Sequence, residues 1–499
     1  MFLKKMANLI VSSVSARLWR GLPWLLLIPF FLGCPKPPQI DVDEAEVEIR
    51  RPDPIAVLLV DDAPTGERIA RQWSARRNGE IKIVNQTSAQ MAASDYQIED
   101  EIDVVIYPTG MLTEFESRGR LLPVSKSLWS SEELNKDELL RLHRNTLVRV
   151  ANEIWAVPLG SPVFSWMYNR DFLAEQKIEV PDQWSTMLEL ADKIRSTNSN
   201  SPTVAIQVAP SSLRLPLAES WAVEVFLARV GPEIRSRGKI STVFERSTMQ
   251  PLITEPPFIA ALEDLQKIVG DDQSQLELTP AMIYSQVLSG KTAIGMTWPS
   301  RSNSESENPM ESENSTEVTD VGFANLPGAE RWYDSKSKKW FQRSKEESRQ
   351  VGLIGFSGLS ASVASSSRNT NTGFEFLGWL ASKPISLITL VDSPLSGPFR
   401  ESHLGDPSRW TGTQISDGAA SEYADLVKVI NSQEVTFLFP RIPGRQRYLD
   451  ALDRRIRSSL RGEMDAAVAL KQAATDWEAI TDELGRERLI GELRKDAGL

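Results

Sequence analysis

The side chains that most often perform nucleophilic or metal chemistry are scarce in this chain. Its 499 residues include two histidines, His143 and His403, and one cysteine, Cys34. A Ser-His or Cys-His nucleophilic system would therefore depend on a lone residue. His143 follows Arg141 in a charged stretch of helical character, which is typical of a solvated surface residue. No His-Glu-x-x-His or Cys-x-x-Cys spacing is present, so we expect neither a catalytic residue nor a metal site.

Carboxylates are abundant, and they leave one enzymatic alternative open. Any two of the 67 Asp and Glu residues could meet in space as the acid pair of a glycoside hydrolase. The net charge of −11 and the lack of a sustained Lys/Arg stripe argue against nucleic-acid binding. There is also no Gly-x-x-x-x-Gly-Lys loop to hold phosphates, so the chain is not itself an ATPase and no cofactor is expected.

Polar side chains that follow predicted strands are better candidates for ligand binding. Asp61 and Asp62 follow the apolar run 55–60, and Thr109 follows the run 103–107. Open parallel sheets bind ligands at the carboxyl ends of their strands. The sequence therefore predicts that these three side chains contribute to a binding site, although helix capping or a turn would also explain each of them.

The elements that must position these residues follow an α/β pattern. Short apolar runs at 55–60, 81–84 and 103–107 are typical of strands buried on both faces, and helical segments follow the first and the third. Such an alternation predicts a lobe with a mostly parallel sheet. A chain of 499 residues is too long for one ordinary core, so two or three lobes are expected. Apolar positions at helical spacing predict two closing helices, over 448–460 and 470–484.

The stretch 153–171 reads as two short strands with a bend between them. Pro158, Gly160 and Pro162 punctuate the bend, and an aromatic run resumes after it. A strand that stops and resumes in this way can pass from one domain into another, which would make the three residues a hinge. A hairpin within a single sheet is the alternative.

The amino-terminal segment has the features of an export signal. Residues 1–33 contain basic residues, an apolar run and a small residue before Cys34. The segment 31–34 resembles a bacterial lipoprotein box, which implies that Cys34 carries a lipid that anchors the protein to a bacterial cell membrane, on the periplasmic side or at the cell surface. Residues 34–52 are rich in proline and acid and predict an extended tether. A plain secretory signal is the alternative for Cys34.

Five separated segments resemble one protein family. They are Trp155-Ala156-Val157-Pro158 with Tyr168-Asn169-Arg170-Asp171, Pro181-Asp182-Gln183-Trp184, Gly290-Lys291 before a strand that ends at Trp298-Pro299, Leu326-Pro327-Gly328, and the glycine-rich run 351–363 before a helix. Similar segments, in the same order, occur in the bacterial extracellular solute-binding protein family 1, the sugar-type substrate-binding proteins of ABC importers. The resemblance extends from about residue 55 to the carboxyl terminus.

The resemblance implies a two-lobed periplasmic-binding-protein fold of type II, with a mostly parallel sheet flanked by helices in each lobe. The implied boundaries are 53–160 and 353–395 for the first lobe, and 161–352 and 396–499 for the second. The two chain crossings would then lie at 153–171 and 351–363. Residues 302–320 are nearly all Ser, Glu and Asn, which predicts a disordered loop.

The resemblance also implies a sugar or oligosaccharide as the ligand. A sugar presents apolar faces and a rim of hydroxyls, so its site needs flat aromatic rings and hydrogen-bonding groups. Trp298 is the expected stacking platform, although a packed core ring is the alternative for any tryptophan. Ser161 would lie in the cleft beside the hinge, Gly358 would allow close backbone approach, and Arg400 could donate two parallel hydrogen bonds.

The expected partners are a small ligand, the permease subunits of an ABC importer and, through the lipid anchor, a membrane. No nucleic-acid partner is expected, and the protein is predicted to be a monomer. Two other functions stay open: an extracytoplasmic glycoside-processing enzyme, and a ligand-sensing receptor component with no role in transport.

Overall fold

The structure is a computed structural model in which the described residues belong to one compact unit, residues 51–499. The described residues are 54–77, 79–91, 98, 101–199, 213–238, 241–299, 320–412 and 414–498. The predicted export signal, the tether with Cys34, and residues 302–319 of the predicted disordered loop lie outside them.

The longer strands form two main sheets, and each sheet lies in its own apolar core. The strands are β1 Ile55–Val60, β2 Ile81–Gln86, β3 Val104–Pro108, β4 Arg149–Val150, β5 Glu153–Ile154, β6 Val157–Gly160, β7 Ser165–Asn169, β8 Leu213–Arg214, β9 Ile294–Thr297, β10 Val321–Asn325, β11 Arg331–Asp334, β12 Lys339–Gln342, β13 Leu353–Ile354, β14 Leu359–Val363 and β15 Phe437–Leu438. All six residues of β1 are apolar and buried, as expected for a strand that is covered on both faces.

Helices supply the cover for both sheets. They are α1 Ala63–Arg77, α2 Ser88–Met91, α3 Leu112–Ser117, α4 Lys126–Trp129, α5 Arg170–Glu175, α6 Trp184–Ser199, α7 Ala222–Ile234, α8 Pro256–Val269, α9 Pro280–Leu288, α10 Thr370–Leu380, α11 Lys383–Asp392, α12 Glu401–Gly405, α13 Ser408–Thr411, α14 Asp417–Ser432, α15 Arg445–Leu460, α16 Ala466–Leu484 and α17 Arg486–Asp496. Trp73 of α1 packs edge-on against Phe376 and Trp379 of α10, with ring centroids 5.1 Å apart in both pairs.

We call the part built around the five-stranded sheet the first lobe and the part built around the four-stranded sheet the second lobe. The strand orders are β2-β1-β3-β14-β6 and β10-β7-β9-β8. This arrangement confirms the predicted two-lobed α/β fold. The exact lobe boundaries stay a prediction, and Phe399 still packs in the core of the first lobe, just beyond the predicted boundary at 395.

The sheets depart from the predicted parallel arrangement at one strand each. β14 is antiparallel to both of its neighbours, β3 and β6, and β7 is antiparallel to both β9 and β10. These two strands enter their sheets from the other lobe, at the edge where neighbouring strands end, so each runs against them. The parallel pairs are β1 with β2, β1 with β3, and β8 with β9.

The chain crosses between the lobes where the sequence predicts an interrupted strand. β6 belongs to the first sheet and β7 to the second, so the alternative of a hairpin within one sheet is wrong. A second crossing joins β13, which packs in the second core, to β14 of the first sheet. Gly358 in this crossing has φ +112°, and a Cβ there would lie 2.5 Å from the carbonyl oxygen of Gly160. Such close backbone approach requires glycine.

The carboxyl terminus differs from the prediction of two closing helices. α15 and α16 cover the predicted segments, but a third helix, α17, follows them. Gly485 ends α16 with φ +91°, and beyond it Leu489, Ile490 and Leu493 are buried at helical spacing. The prediction of two closing helices left out this short apolar repeat.

Within the described part of the chain, no single helix is long and apolar enough to cross a membrane. Helices α10 and α11 meet that test only as a pair, which is bent by 74°.

Candidate functional site

A cavity of about 320 Å³ lies between the two lobes. The first lobe contributes the loops that follow β1 and β3, with Asp61 and Thr109. The second lobe contributes the beginnings of α7 and α15, with Trp221, Glu224 and Arg445. The carboxyl ends of strands therefore face the amino-terminal ends of helices across the cavity. We call these two surfaces the first wall and the second wall.

The polar groups of the first wall are bonded to their own lobe. The Asp61 carboxylate accepts a hydrogen bond of 2.9 Å from the backbone N–H of Ser88. The Thr109 hydroxyl lies 3.0 Å from the hydroxyl of Ser360, and the Thr109 N–H donates to the carbonyl of Gly358 at 3.0 Å. These bonds fix the shape of the loops on which Asp61 and Thr109 lie.

Glu224 of the second wall is a buried acid. The residue lies in the first turn of α7 among apolar neighbours, and it is 5% exposed. Its Oε2 atom has no hydrogen-bond partner among the residues that the structure describes. Burial raises the pKa of Glu224 to about 8, while the positive charge of Arg445 opposes that rise. Near neutral pH this carboxyl therefore carries a proton.

Arg445 is the cation of the second wall. Its Nη2 donates to the carbonyl of Gly355 at 3.4 Å, and its guanidinium lies 5.5 Å from the ring centroid of Phe439. Within the described ranges, its Nε atom has no hydrogen-bond partner. A Cβ on Gly110 would lie 2.5 Å from Nη1 of Arg445, so the backbone of the first wall touches the guanidinium directly.

Two aspartates on α15 support the second wall. Asp450 lines the cavity and accepts a hydrogen bond of 2.8 Å from the amide of Gln446. Asp453 accepts from the backbone N–H groups of Ser220, at 3.2 Å, and Val223, at 3.0 Å. Burial raises the pKa values of both, that of Asp453 to about 6. Asp453 thus holds the beginning of α7, from which Trp221 and Glu224 extend.

Aromatic rings form the apolar part of the second wall. Trp221 and Phe356 line the cavity, and Trp298 lies behind them with its centroid 5.7 Å from Trp221 and 5.9 Å from Phe356. Phe164 stacks on Phe356 at 4.2 Å. Trp298 is 2% exposed. The prediction of Trp298 as the stacking platform is therefore corrected: Trp298 supports the rings that face the cavity.

The structure brings together three of the seven ligand-binding residues predicted from the sequence. Asp61, Thr109 and Gly358 line the cavity. Asp62 is buried beside Asp61 and is not part of the cavity wall. The hydroxyl of Ser161 donates a 2.7 Å hydrogen bond to the carbonyl of Ser357, so it links the two crossings and does not face the cavity.

The predicted hinge residues all lie at the first crossing. Pro158 and Gly160 belong to β6, and Gly160 has φ +107°. Pro162 follows the strand, and a Cβ on Gly397 would lie 2.5 Å from its Cα atom. Three chain segments therefore pack backbone against backbone at this point, although their motion stays a prediction.

Arg400 has a structural role that the sequence analysis did not foresee. It is fully buried, and its Nη2 donates to the carbonyl of Leu134 at 2.6 Å and to that of Ala381. Its Nη1 lies 3.6 Å from a carboxylate oxygen of Glu138, and burial lowers the pKa of Arg400 to about 10. The prediction that Arg400 binds ligand is corrected, because its donors serve the backbone of the first lobe.

His143 is likewise corrected from a surface residue to a buried one. It is 4% exposed, and its ring centroid lies 6.0 Å from that of Phe399. Burial lowers the pKa of His143 to about 4 and that of His403 to about 3. The charged neighbours in sequence misled the prediction, because one face of this short helical segment packs inward.

The residues predicted from the sequence did not include Trp221, Glu224 and Arg445. A signal for Glu224 is present in the run Ala-Val-Glu-Val-Phe-Leu-Ala at 222–228, where it is the one charged residue in an apolar segment. An acid in such a run must be buried with α7. Arg445 follows Pro443-Gly444 at a helix start, and that pattern carries no comparable signal.

Comparisons with known proteins agree with this geometry. The sequence model of a family described as bacterial extracellular solute-binding protein matches residues 81–385. A comparison with curated protein sequences gives no match to the chain.

Several solved structures share the fold. Maltose-bound MalE3 of T. maritima is 15% identical with a TM-score of 0.59, over 86% of this chain and 100% of its own. A solute-binding protein of Agrobacterium radiobacter K84 in complex with ribitol is 13% identical with a TM-score of 0.62, over 86% of this chain and 98% of its own. The GacH receptor of Streptomyces glaucescens, with structures that include an acarbose complex, is 16% identical with a TM-score of 0.57, over 86% and 98%.

Proposed function

Because this chain belongs to the bacterial extracellular solute-binding protein family, we propose that it captures a sugar or polyol between its lobes and delivers it to an ABC importer. The observation that carries the proposal is the inter-lobe cavity, in which aromatic rings lie beside a buried carboxyl and a buried guanidinium. Proteins of similar fold have structures with maltose, ribitol and acarbose. Their identities are low, so the ligand class of this chain rests on its own cavity.

The cavity suits a small hydroxylated molecule. Trp221 and Phe356 offer flat apolar surface for the C–H face of a sugar ring. Glu224 and Arg445 offer an acceptor and a donor for hydroxyl groups. A volume of about 320 Å³ is at the small end of the range for ligand pockets, which favours a short ligand over a long oligosaccharide.

Capture would work by a shift between open and closed arrangements of the lobes. The hinge would comprise Pro158, Gly160 and Pro162, together with the second crossing at Gly358. Their position at the two places where the chain passes between the sheets supports this assignment. No bond is made or broken in this process.

A thermal-shift screen of sugars and polyols tests the proposal. A ligand at 100 times its dissociation constant should add about 2.7 kcal/mol to the free energy of unfolding. Failure of every sugar and polyol to raise the melting temperature would contradict the proposed ligand class. An increase caused by a ligand of another class would retain the binding function and change its specificity.

Export and anchoring are the next part of the proposal. The residues before Cys34 support an extracytoplasmic lipoprotein that is held to the membrane by its acylated cysteine. We also expect the protein to work as a monomer. In cell fractionation, wild-type protein should pellet with membranes, and the Cys34→Ala variant should not.

Delivery to an importer would be tested by uptake of a radiolabelled ligand, which deletion of the gene should abolish. Normal uptake in the deletion strain would favour the sensing alternative.

The second candidate function is a glycoside-processing enzyme, and Glu224 is the observation that favours it. A buried acid that stays protonated near neutral pH, with Asp450 and Asp61 in the same cavity, has the raised pKa of a general acid. Members of this family are solute-binding proteins, so we rank the binding function first. Release of shorter sugars when the purified protein is incubated with oligosaccharides would reverse that order.

A further inference from the structure

We infer that Glu224 and Arg445 act together as the recognition pair for adjacent hydroxyl groups, so that the cleft accepts neutral polyhydroxy ligands and discriminates against their acid counterparts. This inference rests on the proposed function, since it concerns the same cleft. It assigns the specificity to two residues of the second wall.

Both residues are buried and keep unused hydrogen-bonding capacity. Glu224 is 5% exposed and Arg445 is 8% exposed. Among the described residues, Oε2 of Glu224 and Nε of Arg445 have no hydrogen-bond partner. A buried polar atom without a partner is costly to the folded state. Both residues also line the cavity, so a ligand there meets their side chains.

The other acids of the cavity already have hydrogen-bond partners. Asp61 accepts from the N–H of Ser88, and Asp450 accepts from Gln446. Asp453, behind the wall, accepts from two backbone N–H groups of the α7 segment. Among the described acids that line the cavity, Glu224 is the one with a buried oxygen that has no partner.

The Glu224 carboxyl and the Arg445 guanidinium are complementary to hydroxyl groups. The guanidinium can only donate, so it needs an acceptor such as a hydroxyl oxygen. A protonated carboxyl can both donate and accept, and burial keeps the pKa of Glu224 at about 8. Glu224 and Arg445 line the same cavity, so one ligand there can meet both side chains.

The cavity is lined by more acidic than basic side chains. Among the residues that the structure describes, Asp61, Glu224 and Asp450 line it together with one guanidinium, that of Arg445. Acids outnumber bases, so a ligand carboxylate would meet repulsion from Asp61 and Asp450. Contact with the Gly110 backbone limits how far the guanidinium can turn to pair with an anion. A neutral ligand avoids both penalties.

The test uses calorimetry at pH 7 with matched pairs of probes. The neutral probes are maltose, ribitol and D-mannitol, and the anionic probes are the corresponding aldonates, maltobionate, ribonate and mannonate. Wild-type protein should bind at least one neutral probe roughly tenfold more tightly than its acid counterpart. Tighter binding of the acid would overturn the inference but would leave a solute-binding protein.

Variants of Glu224 separate recognition from a merely structural role. Glu224→Leu removes all hydrogen bonding and should weaken the neutral probe at least about tenfold, which is about 1.4 kcal/mol. Glu224→Gln keeps a donor and an acceptor, so it should retain affinity within roughly threefold. The matched control is Glu263→Gln, an exposed residue of α8, which should bind as wild type does.

Each outcome decides between the two proposals. Unchanged affinity in Glu224→Leu would overturn the recognition pair and leave the proposed function intact. If none of the six probes binds to wild type, the proposed sugar or polyol function fails, and the inference fails with it. If Glu224→Leu does not fold, Glu224→Gln decides: affinity within threefold supports the pair, and a loss greater than tenfold overturns the role of a protonated carboxyl.

Discussion

The two walls of the cleft differ in how far their hydrogen bonds are satisfied. On the first wall, Asp61 and Thr109 are already bonded to Ser88 and Ser360 of their own lobe. On the second wall, Glu224 and Arg445 each keep a buried atom without a partner among the described residues. We therefore expect the first wall to provide a fixed surface and the second wall to discriminate among ligands.

The origin of the difference lies in the elements that form each wall. The first wall consists of loops after strands, where short side chains bond to nearby backbone and hydroxyl groups. The second wall consists of helix beginnings, where α7 and α15 bury long side chains with the apolar face of the helix. A carboxyl or guanidinium on such a face has few local partners.

The largest expected effect comes from the aromatic rings of the second wall and from the Trp298 ring behind them. Trp298→Ala should lower the free energy of unfolding by about 3–5 kcal/mol, because it removes a ring packed behind the cavity. Trp221→Ala should lower that free energy less and weaken ligand binding at least about tenfold. Urea unfolding and calorimetry of both variants measure the two effects. The reverse result would restore Trp298 as the stacking platform.

The second effect concerns stability and pH in the ligand-free protein. Burial raises the pKa of Glu224 from 4.5 to about 8, so between these values the folded state binds more protons than the unfolded chain. The free energy of unfolding should therefore fall as pH rises from 4.5 to 8, by at most about 1.4 kcal/mol per pH unit. Glu224→Gln should flatten this dependence in urea unfolding, and Glu263→Gln should not. An unchanged slope in Glu224→Gln would show that Glu224 is not protonated in the folded state.

His143 should act in the opposite direction. Burial lowers its pKa from 6.5 to about 4, so the unfolded chain binds more protons between these values. The contribution of His143 to stability should be present above pH 6.5 and be lost as pH falls toward 4. His143→Gln should therefore lose less stability than wild type on acidification, when unfolding is followed by circular dichroism. An equal loss in both proteins would contradict the burial of this ring.

The contact between the walls can be tested at Gly110. Gly110→Ala would place a Cβ 2.5 Å from Nη1 of Arg445, so the guanidinium must move and ligand affinity should fall by roughly tenfold. Gly405→Ala is the control, since nothing lies within 4 Å of a Cβ there. Calorimetry with a neutral probe measures both variants. Equal affinity would mean that the position of Arg445 does not matter to the ligand.

The smallest effect is expected at the crossing. Ser161→Ala removes the hydrogen bond to the carbonyl of Ser357 and should cost about 1 kcal/mol of stability. Because Ser161 does not line the cavity, the affinity of a neutral probe should change by less than about threefold. A large loss of affinity with unchanged stability would place the ligand at the hinge.

Predictions from the sequence succeeded where the pattern is local and failed where it depends on packing. Apolar periodicity and chain punctuation predicted the strands, the crossing at 153–171 and the close backbone approach at Gly358. The structure contains each of them. Asp61 and Thr109 could be placed because strand ends meet at one edge of a sheet. Arg400 and Trp298 were misplaced because sequence alone does not show which side of a loop or strand end faces a core.

The most direct test of this account compares one acid from each wall. Calorimetry would measure the affinity of wild type, Glu224→Leu and Asp61→Asn for whichever of maltose, ribitol and D-mannitol binds wild type most tightly. The account predicts a loss of at least about tenfold for Glu224→Leu and less than about threefold for Asp61→Asn. A large loss in Asp61→Asn with wild-type affinity in Glu224→Leu would contradict it and assign recognition to the first wall.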